Sequence, residues 1–421
     1  MIKASIVSIG NEILSGQTLD TNAAHLSAEL LSIGVPVVSS YAVRDEIDAI
    51  MRGLDLASAD ADVVLATGGL GPTDDDLTRQ ALAKFLGVEL ELQDERVEGV
   101  PPSNRGQDAR DTRFVGRDRQ IPERNKIQAY IPAGAKALAN IGTALGIMAE
   151  SEGKLFFALP GVPMEAKRMF EESVRPELER FAGGQAVVVK KLKCFGAGES
   201  TIAELLGTMM QRGRNPLINC TVSSGIITLH IIATAENKEK AEQMAEKDEK
   251  LLQSTLGELI YGVGDQSLAE VVGEKLARQG KTIAVAESCT GGLLAKLLTD
   301  NPGSSKYFTY GWITYSNEAK ISELGVPAGL IQEYGAVSEQ VARAMAIGAR
   351  KKAGTDYAIG ITGIAGPAGG TEQKPVGLVY IGVDSENGCD TKRCFFYHGR
   401  QFIRLRAAQT VLNILRLKLN I

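Results

Sequence analysis

Two short stretches of the chain carry residue types that can do chemistry. The first is Glu287-Ser288-Cys289-Thr290-Gly291-Gly292, a polar turn between the β-branched run Thr282 to Ala286 and the helix-spaced apolar run Leu293 to Thr299. A hydroxyl or thiol at a strand-to-helix turn is open to substrate, and the following helix N-terminus opposes developing negative charge. Ser288 and Cys289 are both candidate nucleophiles. Cysteine is the more reactive type, and a helix N-terminus lowers its pKa. The plain alternatives are a helix cap for Ser288 and a small core residue for Cys289. Spacing alone does not choose between the two.

A serine nucleophile needs a base. His398 is the only histidine in this part of the chain, and it sits in a charged run far from the turn, so a Ser–His pair has thin support. Lys320 offers another route. It follows the aromatic-rich strand Tyr307 to Tyr315, and Ser316 or Asn317 can cap the helix that begins there. Lys320 then falls in the first turn, where the helix dipole disfavours a further positive charge and burial lowers its pKa again. Tyr315 could relay a proton or fix the lysine. Taken as an isolated pair, they read more often as a surface lysine and a core tyrosine. Ser305, in Gly303-Ser304-Ser305, adds hydroxyl and amide donors. The loop Thr362 to Gly370, with Gly363 and Gly366, can turn several amides toward an anion.

The second stretch is Val63 to Thr78. Here Gly68, Gly69 and Gly71 allow close approach of backbone N–H groups to a phosphate, and a helix follows from Leu77. Asp74, Asp75 and Asp76 sit at that helix start. Asp74 is well placed as a cap, yet three carboxylates exceed what capping needs. Phosphate oxygens with carboxylates suggest a divalent metal bridging a diphosphate. A solvated acidic first turn is the plain alternative. A second polar turn, Ser8 to Leu14 with Asn11 and Glu12, and the helix opening Asp20-Thr21-Asn22 fall on the same strand-end edge.

The elements that must position these groups come next. Ala4 to Ile9, Val35 to Val43 and Val63 to Ala66 read as strands. Thr21 to Ser32, Ile47 to Ala57 and Leu77 to Phe85 read as helices. This βαβαβα order predicts a parallel sheet covered on both faces. The charged segment Glu95 to Glu123 reads as a long loop or lid, before a strand Lys154 to Leu159 and a helix Met164 to Arg180. Ala182-Gly183-Gly184 marks a boundary. A small α+β unit follows, with strands Ala186 to Cys194 and Ile226 to Thr234 and helices Ser200 to Met210 and Lys238 to Leu256. Its element order is KH-like, but Gly196-Ala197-Gly198-Glu199 lacks the GxxG clamp for RNA, so a spacer or dimer-forming module is expected. A third unit begins at Gly262 to Asp265, with a helix Leu268 to Gln279. The domains predicted are 1–180, 185–260 and 262–421.

Composition bounds the classes. A chain of 421 residues suggests about three domains. With 46 basic and 51 acidic residues the net charge is −5, which argues against a nucleic-acid-coating protein. No apolar run approaches the ~18 residues of a membrane span, and Met1 to Val7 reads as a first strand rather than a signal peptide. Five cysteines, Cys194, Cys220, Cys289, Cys389 and Cys394, form no CxxC pair, which suits reduced thiols in a cytoplasmic protein.

Ser8 to Leu14, Leu19 to Asn22, Thr67 to Thr78 and Leu159-Pro160-Gly161-Val162-Pro163 resemble the N-terminal domain of the CinA family. Ala286 to Gly292, Gly303 to Ser305, Thr314 to Lys320, Gly335 to Glu339 and Gly360 to Gly370 resemble its C-terminal domain. The resemblance implies a doubly wound α/β, molybdopterin-binding-like N-terminal domain, a KH-like α+β middle and an α/β C-terminal deamidase domain. It implies that the C-terminal domain deamidates nicotinamide mononucleotide with Ser288 as nucleophile, Lys320 as base and Tyr315 as its helper. Thr290, Gly291, Gly292, Ser305, Gly363 and Gly366 are expected to bind that substrate. It further implies hydrolysis of ADP-ribose to AMP and ribose 5-phosphate by the N-terminal domain. There the phosphates would lie on Gly68, Gly69, Gly71, Thr78, Asn11 and Glu12. Asp74, Asp75 and Asp76 would hold a divalent metal (magnesium, manganese or cobalt), with potassium as an optional second ion. No cofactor is expected for the deamidase. A homodimer with small nucleotide substrates, no nucleic-acid contact and no membrane is expected. Two rival readings stay open: a binding or regulatory protein in DNA uptake, and a deamidase whose N-terminal domain binds pterin.

Overall fold

The computed structural model describes residues 2–93, 127–138, 144–181 and 186–419. The charged segment Glu95 to Glu123, expected as a loop or lid, lies outside the described residues. Among the described residues, no helix is long and apolar enough to cross a membrane. All five cysteines are unpaired.

The N-terminal sheet has six strands, in the spatial order Val37–Val43, Ala4–Ile9, Val63–Thr67, Lys154–Leu159, Ile147–Ser151, Lys136–Ala137. The first four are parallel, as the alternation predicts. The last two are antiparallel, so the sheet is mixed rather than wholly parallel. The cause is local. Only Glu152 and Gly153 separate two strands, both with positive φ (52° and 74°), and a two-residue turn of that hand can only close a hairpin. Both faces are covered. Ile50, Leu54, Ala81 and Leu82 from helices Ile47–Asp60 and Thr78–Leu86 pack on one face with Val7, Val64 and Phe156. Leu26 and Leu30 of helix Thr21–Ser32, with Met169, Phe170, Val174 and Leu178, pack on the other with Ile6, Leu65 and Phe157. The expected helix Met164 to Arg180 is broken into Pro163–Met169, a π-helical turn Phe170–Val174, and Arg175–Phe181. Pro176 explains the break: it has no N–H and crowds the carbonyl four residues back, so the preceding turn widens.

The middle module has strands in the order Leu217–Ser223, Ile226–Ala235, Ala186–Cys194, Ile260–Val263, with helices Glu199–Leu206 and Lys238–Leu256. Its first and last strands lack a clear apolar alternation and escape the sequence reading. Val189–Ile232 and Met244–Ile421 form one compact unit. Phe195 and Tyr261 join the C-terminal hydrophobic core. Arg406 donates to the Gly225 carbonyl at 2.7 Å and lies 4.5 Å over the Phe195 ring. Arg416, buried, donates to the Glu258 and Ile260 carbonyls, the latter at 3.3 Å.

The C-terminal sheet runs Phe308–Ile313, Ile283–Glu287, Tyr357–Gly363, Leu378–Ser385, Gly388–Phe395. The first three strands are parallel and the last two pair antiparallel. Helices Leu268–Gln279, Leu293–Thr299 and Arg400–Lys418 bury Val272, Leu276, Leu294, Ile403 and Val411 against one face. Helices Asn317–Leu324 and Glu339–Ala353 bury Leu324, Val341 and Met345 against the other. The parallel strands therefore deliver Ser288, Thr314 and Ile364 to one sheet edge, where an open α/β sheet binds ligands.

Candidate active site

Ser288 follows its strand directly, and its amide donates to the Ile361 carbonyl of the neighbouring strand at 3.0 Å. Gly291 and Gly292 then take positive φ, 57° and 89°, a conformation that disfavours side-chain-bearing residues. The turn is held from inside by Glu287, which is fully buried. Its carboxylate accepts from the amides of Gly292 (3.0 Å), Leu294 (3.2 Å) and Ala295 (2.8 Å). A carboxylate on the first-turn amides of helix Leu293–Thr299 satisfies donors that a helix leaves orphaned. From outside, Arg404 donates to the Thr290 carbonyl through Nε (3.0 Å) and Nη2 (2.6 Å).

Lys320 reaches the same turn from the far side of the sheet edge. Ser316 caps helix Asn317–Leu324, its hydroxyl accepting from the Ala319 amide, and this places Lys320 in the first turn as expected. The Lys320 side chain is 1% exposed. Its Nζ lies 3.2 Å from Ser288 Oγ and contacts the carbonyls of Thr314 (2.8 Å), Tyr315 (3.3 Å) and Ser316 (3.4 Å). Burial pushes Lys320 below the ordinary lysine range, against smaller opposing effects of Cys289 and Glu318. The Cys289 thiol is buried too, and burial pushes it up to about 12. Its neighbour's hydroxyl, not the thiol, faces the amine.

The remaining expected residues divide. Thr290, Gly291 and Gly292 form the turn itself, but two amides expected to face substrate are engaged: Gly291 N–H goes to the Ser288 carbonyl and Gly292 N–H to Glu287. The Thr290 hydroxyl is shielded and has no partner. Gly363 ends the adjacent strand, and the Gly366 carbonyl accepts from Arg400 at 2.7 Å. The Tyr315 phenol is exposed and accepts from Arg400 at 3.1 Å, so its contact with Lys320 is through the backbone carbonyl. Ser305 is a correction. It lies in the turn Ser304–Lys306, just before strand Phe308–Ile313, at the opposite end of the parallel strands from Ser288. A helix of seven residues, Leu293–Thr299, separates the two, about 10 Å of rise. His398 is exposed and packs edge-on against Phe402.

The N-terminal polar turns meet as expected. A cleft of about 250 Å³ is lined by Glu12, Asp20, Asn22, Asp45, Thr67, Gly68, Gly69, Asp75 and Asp76 among others. Gly68 has φ 106°, and a Cβ there would run into the Ile9 carbonyl. Thr78 closes the loop, its hydroxyl donating to the Gly68 carbonyl at 2.7 Å. Arg79, buried and pushed down to about 10 by that burial, donates to the carbonyls of Leu70 and Gly71, the latter at 3.2 Å. Asp74 is not the helix cap: helix Thr78–Leu86 has Leu77 at its N-cap and no side-chain cap. Asp76 instead accepts from the Thr73 amide at 2.8 Å, and Asp74 does not line the cleft. The Asn11 amide donates to Asp45 at 2.8 Å. Burial, with Glu12 and Asp75 nearby, raises the Asp45 carboxyl above the ordinary aspartate range. Asn22 donates to Thr67 (3.0 Å) and the Gly161 carbonyl (2.9 Å), while its Oδ1 is buried with no partner. These carboxylates and the orphaned Asn22 carbonyl oxygen are oxygen donors of the type hard divalent cations take. They line one cleft, though among the described residues no three of these carboxylates are drawn within 4.8 Å of one another. Asp45 was missed in the sequence reading. It follows strand Val37–Val43, and the strand-end rule that placed Glu12 would have found it.

Fold and sites together define a three-part α/β protein with a molybdopterin-binding-like first domain and a separate Ser–Lys site. Residues 5–180 match the probable molybdopterin binding domain, 189–262 the damage-inducible protein CinA KH domain, and 265–419 the CinA C-terminal domain. The chain is 42% identical over 416 residues to a CinA-like protein of Kosmotoga olearia, covering 99% of this chain and 98% of the relative. It is equally 42% identical, over 416 residues and with 99% and 98% covered, to a CinA-like protein of Dictyoglomus turgidum. A solved structure, the competence/damage inducible protein CihA from Agrobacterium tumefaciens, shares 40% identity over 37% of this chain and 94% of that one, with a TM-score of 0.36. The chain belongs to the CinA family.

Proposed function

We propose that the C-terminal domain is an amidohydrolase that converts nicotinamide mononucleotide to nicotinate mononucleotide and ammonia. The observation that carries this reading is the 3.2 Å approach of buried Lys320 Nζ to Ser288 Oγ. Ser288 Oγ attacks the carboxamide carbon and its proton passes to Lys320 Nζ. The tetrahedral adduct collapses: the C–N bond breaks and the lysine returns the proton to the departing nitrogen, giving ammonia and an acyl-serine. Water then adds to the ester carbon, Lys320 taking its proton, and the acid leaves as Oγ recovers a proton. A lysine can act as base only when neutral, and burial favours that form. The high thiol pKa of Cys289 argues for the serine, because the thiolate is the nucleophile. Arg400, at the rim beside Tyr315 and Gly366, supplies a cation for the nucleotide's phosphate. The test is ammonia release from the mononucleotide by the full chain and by Ser288→Ala with Cys289 intact. The reading expects the variant to lose nearly all activity; unchanged release refutes the nucleophile assignment.

For the N-terminal domain we propose metal-dependent hydrolysis of ADP-ribose to AMP and ribose 5-phosphate. Glu12, Asp45, Asp75 and Asp76 would hold the ion, which supplies charge neutralisation at the diphosphate when bound. Gly69 lets the backbone approach the phosphates, the Gly68 amide being bound to the Leu159 carbonyl at 3.1 Å, and Arg79 fixes the loop from behind. ADP-ribose turnover that is absent with and without added magnesium, manganese or cobalt would refute this half and leave the deamidase standing.

A further inference from the structure

A second cluster of metal-ligating side chains lies in the N-terminal domain, and neither activity uses it. His25 and Glu29 are four residues apart on helix Thr21–Ser32, a spacing that puts both on one helix face. Glu171 comes from the π-helical turn Phe170–Val174. One donor atom from each of the three lies within 4.8 Å of the others. His25 Nε2 is shielded from solvent and has no hydrogen-bond partner. A buried ring nitrogen left unpaired forfeits a bond that almost every buried polar atom makes, and imidazole nitrogen is a common metal ligand.

Arg175 shapes the cluster. Its Nε donates to Glu171 at 2.7 Å and its Nη2 to Glu171 at 2.9 Å, and it pairs with Glu29 through Nη2. A fourth bond, Nη1 to Ser32 Oγ at 3.2 Å, fixes the guanidinium. Each carboxylate has lone pairs beyond those the arginine takes, and two carboxylates against one guanidinium leave a net negative site. Hydrogen-bonded partners of this kind orient carboxylate ligands around a metal.

We propose that His25, Glu29 and Glu171 bind one divalent transition-metal ion of the zinc class, with an open fourth position filled by water. One nitrogen and two carboxylate oxygens are a donor set of zinc sites, whose bonds of about 2.0–2.2 Å put neighbouring donors about 3.3 Å apart. Here the donors lie within 4.8 Å of one another, so each pair has at most about 1.5 Å to close to reach that spacing. The ion would staple helix Thr21–Ser32 to the segment after Pro163, two elements that both contribute to the carboxylate cleft: Asn22, one turn from His25, lines it, as does Pro163. The site is separate from that cleft and does not depend on the reading of its chemistry.

The test is zinc binding to the metal-stripped full chain, by competition with a chromophoric chelator, in wild type, His25→Ala and Glu171→Gln. Asp45→Asn serves as a control for the carboxylate cleft. The proposal expects a zinc equivalent that Asp45→Asn still binds and whose affinity falls by about tenfold or more in either cluster variant, since even outer-shell losses cost about 10–100-fold; zinc taken up by the carboxylate cleft is instead weakened by Asp45→Asn and untouched by the cluster variants. Glu171 is exposed, so its variant remains informative if His25→Ala fails to fold. Affinity equal to wild type in Glu171→Gln, or no zinc bound by the wild type, overturns the proposal and leaves an ion-pair cluster centred on Arg175.

Discussion

Glu287 is the residue on which the geometry of the nucleophile turn rests. Its buried carboxylate serves three backbone amides, two through Oε2 and one through Oε1. Glu287→Gln keeps the shape but replaces one oxygen with a donor. In its best orientation the carbonyl keeps Gly292 and Leu294, and the new NH2 group faces the Ala295 amide. One buried donor is then unsatisfied, which costs about 1–3 kcal/mol. For a domain of this size about 2 kcal/mol lowers Tm by about 4–8 °C. Glu287→Ala strands all three amides, and with partial rescue by water the loss is about 3–5 kcal/mol. Because Ser288 is the next residue, the turn shifts as well, and displacement of a reacting group by about 1 Å can cost about 100-fold in rate. Thermal unfolding and ammonia release measured on the same preparations check both effects. A Glu287→Gln chain with Tm and turnover indistinguishable from wild type would show that the carboxylate does not hold the turn.

Lys320→Met removes the base and lowers deamidation by about 10²–10⁴-fold, measured as ammonia release at fixed pH with retained secondary structure. In the wild type, the rate rises with pH as Lys320 loses its proton, with a midpoint below the ordinary lysine value because burial depresses it; a pH–rate profile without that limb contradicts the assignment. Stability follows the same sign. The unfolded chain holds the lysine proton more tightly than the folded one, so folding gains stability as pH rises from the folded pKa toward the unfolded value, a gain absent in Lys320→Met. Asp45→Asn removes one carboxylate of the N-terminal cleft and raises the metal concentration needed for half-maximal ADP-ribose turnover by about tenfold or more; an unchanged metal requirement places the ion elsewhere.

Much of this was legible in the sequence because the informative signals were local. Strand-to-helix turns carrying Ser288 and Gly68 fixed which residues reach the sheet edge, and the cap Ser316 set Lys320 in a first turn. What escaped depends on contacts distant in sequence. Arg404 meets Thr290 from 114 residues away, and no pattern near either one announces the pair. In sequence Glu287 is only the first residue of a polar turn; its partners are backbone amides, which no residue type encodes. Ser305 was grouped with the site through its neighbours in sequence, although the helix between carries it to the other end of the strands. Asp74 looks like a cap because three aspartates stand just before the helix expected from Leu77, but Leu77 itself occupies the N-cap and Asp76 turns back to Thr73.

The central claim is that the Ser288 hydroxyl, deprotonated by Lys320, forms a covalent acyl intermediate. Rapid quenching of the enzyme during turnover of nicotinamide mononucleotide, followed by peptide mapping by mass spectrometry, tests it directly. The account predicts an adduct of the nicotinate mononucleotide acyl group on Ser288, absent from Ser288→Ala. An adduct on Cys289, or turnover undiminished in Ser288→Ala, would contradict it.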